Sequence, residues 1–538
     1  MTERTAPTVA GRALAEQTFT GAWRRAVERT ADAPFLFFER PDSRVLAWSY
    51  GEFDQAVSRT ARFLAEKGVT RGSAVHLALT NSPTFVAVWL AATGLGAWIV
   101  PSDPMGSTAE LRGHISRTHP AIGFCATARA AAYRAAVPDL PVVEIDEADG
   151  DLAAFGETPL DAWPVPAPLD RAAVMFTSGT TGAPKGVEIT QANYAFAGTT
   201  MAAACGLAAH HRQLVVLPIF HANAQYYSFA SAIGVGASVA LMHTFSASGF
   251  LTQAARHGAT HASLFAAPIR MILARGAAGV PGLKLQHCWY AMNISDDQFE
   301  TLSSLIGCRP RQLYGMTETI PAVLTDRADA PVASSMGFVT DGCSVSVQRA
   351  DGTEAAPGEV GEIVVGGTPG VTLFAGYLDD PTTTAAAFRD GWLLTGDRAR
   401  RDAAGRFTFD GRRADLLKVA GENVSTVEVE QVLSSHPGVL EAAVVGHPDP
   451  IRDEVPVGFV VAADPANGPT VDELHAWCGE RLTKSKRPRD IILVDELPRT
   501  SVGKIRKFLL RDHDIDNPDP ISPSSTDRVS VARKEVPA

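Results

Sequence analysis

Residues 174–190, VMFTSGTTGAPKGVEIT, decide how the rest of the chain is understood. The apolar run Ala172–Phe176 predicts a buried strand. Hydroxyls and glycines then surround one lysine: Thr177, Ser178, Gly179, Thr180, Thr181, Gly182 and Gly186 about Lys185. Glycines let a backbone turn several N–H groups toward one point and hydroxyls add donors, so such a loop can cradle phosphate oxygens. Lys185 supplies a point charge for them. The other reading of these letters is a polar hairpin turn, because Thr-Gly-Ala-Pro is ordinary turn chemistry. A Walker A loop is excluded: it needs Gly before the Lys and Ser or Thr after it, and here Pro184 and Gly186 stand there.

Outward from this loop, helical patterns alternate with short apolar runs at Ala74–Leu79, Ala97–Pro101, Leu214–Pro218, Val235–Met242 and His261–Phe265. Alternation of that kind predicts βαβ units, a mainly parallel α/β sheet, and ligands at the carboxyl ends of its strands. From about Ser334 to Asp410 the texture becomes β-rich and glycine-punctuated, which predicts a β-barrel-like subdomain with hairpin turns at Asp351-Gly352 and Asp410-Gly411. A fresh α+β pattern follows: helix Val427–Ser434, strands Ala442–Val445 and Val457–Val461, helix Val471–Leu482 and strand Ile491–Val494. A boundary near 411–416 separates a large domain, 19–411, from a small one, 415–511. Residues 1–18 and 512–538 lack apolar periodicity and are expected to be disordered.

Composition narrows the function. Hydrophobic residues make up 46% and charged residues 20%, as in a globular enzyme. A net charge of −11 disfavours a nucleic-acid partner. Cys125, Cys205, Cys288, Cys308, Cys343 and Cys478 fit neither a disulfide framework nor a zinc site. The N-terminal stretch has no apolar core, so no signal peptide is expected. The most apolar window, Phe85–Val100, is too short to span a bilayer and contains Gly94 and Gly96. A helix capped by Asn81 or Ser82, a glycine turn and a strand account for it. A cytoplasmic protein is expected.

The run SGTTGAPKG resembles the phosphate loop of the adenylate-forming superfamily: acyl-CoA synthetases, peptide-synthetase adenylation domains and luciferases. Five further stretches match in order, over roughly Phe19 to Arg511. The resemblance implies stacked α/β sheets and a mobile C-terminal lid. LPIFHANAQ puts His221 at the acyl pocket and ATP entry, where amino-acid-activating members carry an Asp for the substrate ammonium. LYGMTET implies Tyr314 on adenine with Gly315 beside it, Thr317 on the α-phosphate and Glu318 on Mg²⁺. DGWLLTGD implies Asp397 on the ribose hydroxyls, joined by Arg412. The hinge position falls on Ala414, without the usual Asp or Lys. Gly421, Glu422 and Asn423 match the loop used in the second half-reaction. Lys504, in TSVGKIRK, matches the lysine that bridges carboxylate and α-phosphate oxygens in the first.

The implied reaction joins a small carboxylate to ATP as an acyl-adenylate, releases pyrophosphate, and passes the acyl group to CoA. WYAMNIS (289–295) stands where most relatives are glycine-rich. With YGMTETI and GENVS it looks most like the carnitine/crotonobetaine-CoA ligase branch. Bulk from Trp289, Tyr290 and Met292 suggests a short or flat, aromatic acid, with Asn223, Gln225, Tyr226 and Trp289 as further contacts. Competing readings keep the adenylate and change the acceptor: a carrier-protein thiol, an amine, or nitrite activated onto an aminoarene in secondary metabolism. A non-catalytic nucleotide-binding protein is the reading from another class.

Overall fold

Ser82 accepts from the Phe85 amide and Pro83 takes the first helical position, so the most apolar window opens as a helix, Pro83–Gly94. It is buried on every face, which its uniform apolarity requires. Gly96, at φ +74, turns the chain into strand Trp98–Pro101. Asn81, the alternative cap, does something else. Its amide nitrogen donates to the Leu217 and Met242 carbonyls at 3.1 and 3.0 Å, and its oxygen accepts from Ile219 N at 2.8 Å. It ties the ends of two sheets together.

The computed structural model describes residues 17–150, 152–177, 184–276, 279–412, 416–419, 422–449, 452–464, 466–499 and 505–511, the side chains of Ala153 and Asn423 excepted. The expected disorder at 1–16 and 512–538 lies outside them. Thr18 is described, and it caps helix Phe19–Thr30 by accepting from Gly21 N.

The chain divides into two compact units, residues 1–414 and 415–538. In the first unit a nine-stranded sheet runs Phe338–Val339, Leu324–Thr325, Arg311–Tyr314, His287–Ala291, His261–Phe265, Arg212–Val215, Ser238–Met242, Pro34–Glu39 and Val45–Ser49. Its inner strands are parallel. A seven-stranded sheet runs Gly376–Tyr377, Lys185–Thr190, Arg171–Thr177, Trp98–Pro101, Ala74–Ala78, Ile122–Ala126 and Val142–Ile145. One large apolar cluster draws side chains from both, so the architecture is mixed α/β with the predicted parallel interior.

Two local expectations are corrected. Val235–Met242 is not one strand: Val235 ends a helix, Gly236 caps it at φ +77, and the strand begins at Ser238. Asp410-Gly411 is not a hairpin turn but lies inside strand Phe407–Arg412. Arg398 pairs Gly411 while Ala399 pairs Phe409, so Asp410 is the extra residue of a β-bulge, with Gly411 at φ +110. Asp351-Gly352 does form its turn: Gly352, at φ +85, donates to the Arg349 carbonyl. The glycine-punctuated region is a five-stranded antiparallel sheet built on Val360–Gly366 and Trp392–Arg401.

The second unit pairs Asp453–Ala462 with Val439–Asp449 antiparallel and with Asp490–Leu493 parallel. Leu417, Val429, Leu433, Val444, Leu474 and Cys478 form its core with helices Thr426–Ser434 and Val471–Arg481.

Candidate active site

Two strands flank the loop of the opening stretch. Strands Arg171–Thr177 and Lys185–Thr190 form an antiparallel hairpin, with Thr177 opposite Lys185. Ser178, Gly179, Thr180, Thr181 and Gly182 lie outside the described residues. The loop's two flanks are held from the helix Thr108–Thr118. Arg117 donates to the Pro184 carbonyl at 2.6 Å, and its guanidinium lies 5.2 Å from the Phe176 ring centre. His114 stacks on the same ring at 4.0 Å, with the two planes nearly parallel. Behind it, His114 Nδ1 meets Ser102 Oγ at 2.8 Å, Ser102 meets His76 Nε2 at 2.9 Å, and His76 Nδ1 meets Tyr133 at 2.7 Å. Burial lowers His114 to about 4, helped by Arg117, and His76 to about 3, helped by His114. Both rings are neutral packing elements at pH 7.

A backbone seam carries the hairpin to Glu318. Strand Gly376–Tyr377 pairs Lys185–Thr190, with Leu378 N donating to the Gly186 carbonyl and Ala375 N to Glu188. Phe374 N donates to the Glu318 carbonyl at 3.0 Å. On this seam Tyr377 links two groups. The Lys185 ammonium sits 4.9 Å from its ring centre, and its hydroxyl donates to Glu318 Oε1 at 3.1 Å. Burial and the Glu318 carboxylate push the Tyr377 phenol up, so it remains a donor.

The second arm begins four residues earlier in the same segment, where strand Arg311–Tyr314 ends. A side chain on Gly315 would meet the Pro321 carbonyl at 2.8 Å, so the close turn there needs glycine. The Tyr314 hydroxyl donates to Asp397 Oδ2 at 2.7 Å, and Arg412 Nε donates to Oδ1 at 3.0 Å. The bulge at Asp410 lets Arg412 pair directly opposite Asp397. Asp397 is buried at 5% exposure, yet each carboxylate oxygen can accept more than one bond, which leaves capacity for hydroxyl donors. Thr317 opens a short 3₁₀ turn, half-buried, beside the buried Glu318.

The expected acyl-side residues separate. His221 follows the loop that Asn81 holds, with its ring 4.5 Å from that of Phe220. Asn223, Gln225 and Tyr226 lie on a π-helix, Asn223–Ala230. Gln225 accepts from the Tyr194 hydroxyl and donates to the Ile219 carbonyl, so its amide is committed to the core rather than open to a substrate. Trp289 and Tyr290 do not form one wall, because neighbours on a strand face opposite ways. Trp289 packs edge-on to His287 and under Arg311, while the Tyr290 hydroxyl donates to the Ala333 carbonyl at 3.0 Å. Met292 is 41% exposed, with φ +71. Ala414, Gly421 and Lys504 lie outside the described residues; Glu422 is exposed at the start of strand Glu422–Ser425, which contains Asn423.

Sequence reasoning missed Tyr377 and Arg117. Tyr377 ends the run GTPGVTLFAGY, but nothing local marks its contacts. Arg117 is one of many surface-type arginines, and only the fold brings it to Pro184.

Among the described residues no group of three or more His, Cys, Asp or Glu could hold a metal by itself. One buried carboxylate, Glu318, fits a Mg²⁺ that arrives with phosphate oxygens as its other ligands. No helix among the described residues is long and apolar enough to cross a membrane.

Residues 23–378 match the family model described as AMP-binding enzyme, and 428–504 match AMP-binding enzyme C-terminal domain. The chain is 32% identical over 500 residues to the crotonobetaine/carnitine–CoA ligase of Salmonella arizonae, covering 89% of this chain and 96% of that one. It is 32% identical over 498 residues to the Shigella flexneri protein of the same name, covering 87% and 94%. Among solved structures, o-succinylbenzoate CoA synthetase of Bacillus subtilis with its acyl-adenylate superposes with TM-score 0.80 at 28% identity, covering 93% and 99%. ATP-bound MatB of Rhodopseudomonas palustris gives 0.82 at 25%, covering 91% and 98%.

Proposed function

The chain belongs to the AMP-binding enzyme family, and on that premise we propose the acid class and the residue roles that follow. It is an acid–thiol ligase of the acyl-CoA synthetase type. A carboxylate is activated as acyl-AMP with loss of pyrophosphate, and the acyl group then passes to the thiol of CoA as AMP leaves.

In the first step a carboxylate oxygen attacks the α-phosphorus as the bond to pyrophosphate breaks. Both reactants are anionic, so the protein's work is charge neutralisation and positioning. Lys185 and the loop N–H groups hold the β- and γ-phosphates, and Thr317 bonds the α-phosphate. Glu318, oriented by Tyr377, would hold Mg²⁺, which when bound would neutralise phosphate charge. Tyr314 lies against adenine, with its hydroxyl fixed on Asp397. Asp397 accepts the ribose hydroxyls, and Arg412 supports it. Lys504 neutralises the reacting carboxylate and α-phosphate oxygens. In the second step the loop of Gly421, Glu422 and Asn423 serves thiol attack. The acid is short or aromatic, and His221 in place of a carboxylate disfavours an α-amino acid.

The observation that carries this reading is the pair of arms diverging from one segment, Tyr314 to Asp397 and Arg412, and Glu318 to Tyr377 and Lys185. The test incubates the protein with ATP, Mg²⁺ and a panel of carboxylates, measuring pyrophosphate with and without CoA and thioester by mass. Nitrite with an aminoarene, and a carrier-protein thiol, are the competing arms. Lys504→Ala is expected to lose adenylate formation by about 10²–10³-fold while still converting synthetic acyl-AMP and CoA to thioester. Equal loss of both halves removes Lys504 from its role.

A further inference from the structure

The π-helix Asn223–Ala230 carries buried polar side chains in two conditions. Both amide atoms of Gln225 are paired, with the Tyr194 hydroxyl and the Ile219 carbonyl. Ser231, just beyond, donates to the Tyr227 carbonyl at 2.6 Å. Asn223 differs: it is 6% exposed, and neither its amide nitrogen nor its oxygen has a hydrogen-bond partner among the described residues. The hydroxyl of Tyr226, a residue 1% exposed, is in the same position. More than nine in ten buried polar groups in folded proteins are paired. Three such atoms fall within the opening turn of this helix, and each left unpaired raises the energy of the fold.

Their place gives them a use. The helix begins two residues after His221, on the loop Asn81 anchors. The Tyr226 ring lies edge-on to Tyr194 at 5.7 Å. Burial chiefly, then the neighbouring phenols Tyr194 and Tyr227 and the Glu318 carboxylate, hold its phenol in the protonated, donating form.

We infer that the acid activated here carries a neutral hydrogen-bonding substituent, a hydroxyl, oxo or carboxamide group, which the amide of Asn223 and the hydroxyl of Tyr226 hold. This rests on the ligase reading above. A plain alkyl or aryl acid leaves those atoms unpaired in the complex. A quaternary ammonium group neither donates nor accepts and leaves them unpaired as well. Sites built to bond a substrate polar group reject the analogue lacking it, by as much as about 10⁴–10⁵-fold.

The test compares matched acids on the full chain with Mg²⁺, ATP and CoA: 3-hydroxybutyrate with butyrate, 3-hydroxybenzoate with benzoate, 4-oxopentanoate with pentanoate, and γ-butyrobetaine. In at least one pair kcat/KM is expected to favour the substituted acid by roughly 10²-fold or more. Asn223→Leu and Tyr226→Phe should each pull that ratio toward one, with melting curves confirming folded protein. The inference is overturned by turnover without discrimination in the unaltered protein, by a betaine preferred over the hydroxy acid, or by variants that keep the ratio. No pyrophosphate release with any acid fails the ligase reading itself, and this inference with it. That outcome is distinct from release without preference.

Discussion

Replacing Tyr377 with phenylalanine removes one oxygen. That oxygen donates to Glu318 Oε1 at 3.1 Å, while the ring stays 4.9 Å from the Lys185 ammonium. A hydrogen bond to a charged acceptor is worth about 1.5–3 kcal/mol, and each ~1.4 kcal/mol is tenfold, so kcat/KM for Mg²⁺-ATP should fall roughly 10- to 150-fold. Tyr377→Leu also removes the ring face. At about 0.5–2 kcal/mol for the cation–π contact, the further loss is roughly 2- to 30-fold. Initial rates of pyrophosphate release against ATP, at saturating acid and several Mg²⁺ concentrations, measure both, with thermal melting alongside. The Phe variant should need more Mg²⁺. Phe equal to the parent refutes the orienting bond, and Leu equal to Phe refutes the ring–lysine contact.

Asp397→Asn keeps the shape but replaces one accepting oxygen with a donor facing Arg412 or the ribose; KM for ATP should rise about 10- to 10²-fold, checked by ATP titration of the adenylation half-reaction. Arg117→Ala releases Pro184 and Phe176; KM for ATP should rise several-fold with kcat little changed, whereas equal loss in both would count against loop positioning. Stability should fall on acidification. His76 and His114, at about 3 and 4 when folded, and His261, held by burial at about 4, titrate near 6.5 in the unfolded chain. Lowered folded values mean the stability is fully present above about pH 6.5 and is lost as pH falls toward 4, at about 1.4 kcal/mol per unit per histidine. Urea midpoints at pH 7.5, 6 and 5 test this, and His114→Asn should flatten the slope by about one proton.

The helix-turn-strand at Pro83–Pro101 was legible because Ser, Pro and Gly stand where caps and turns require them. Strand His261–Phe265 was legible from its short apolar run. The Asp410 bulge was not, since Asp-Gly between β-type residues is the same signal a hairpin turn gives, and only pairing with Trp392–Arg401 distinguishes them. At the site, the residue types of Lys185, Tyr314, Glu318, Asp397 and Arg412 were visible as motifs. Their grouping into two arms depended on Tyr377 and on strand pairing, which are long-range. The bulk of Trp289 and Tyr290 does not add up on one side, because strand alternation sends the two rings opposite ways. Gln225 and Asn223, two residues apart on one helix, look alike in sequence, and only Tyr194 and the Ile219 carbonyl separate the paired amide from the unpaired one.

One nucleotide is proposed to span both arms, ribose at Asp397 and phosphates at Glu318 and Lys185. A crystal structure of the protein with Mg²⁺ and a non-hydrolysable ATP analogue measures it directly. Both ribose hydroxyls are expected on the Asp397 carboxylate, the metal on Glu318 and the terminal phosphates beside Lys185. A nucleotide bound with its ribose away from Asp397, or its metal away from Glu318, contradicts it.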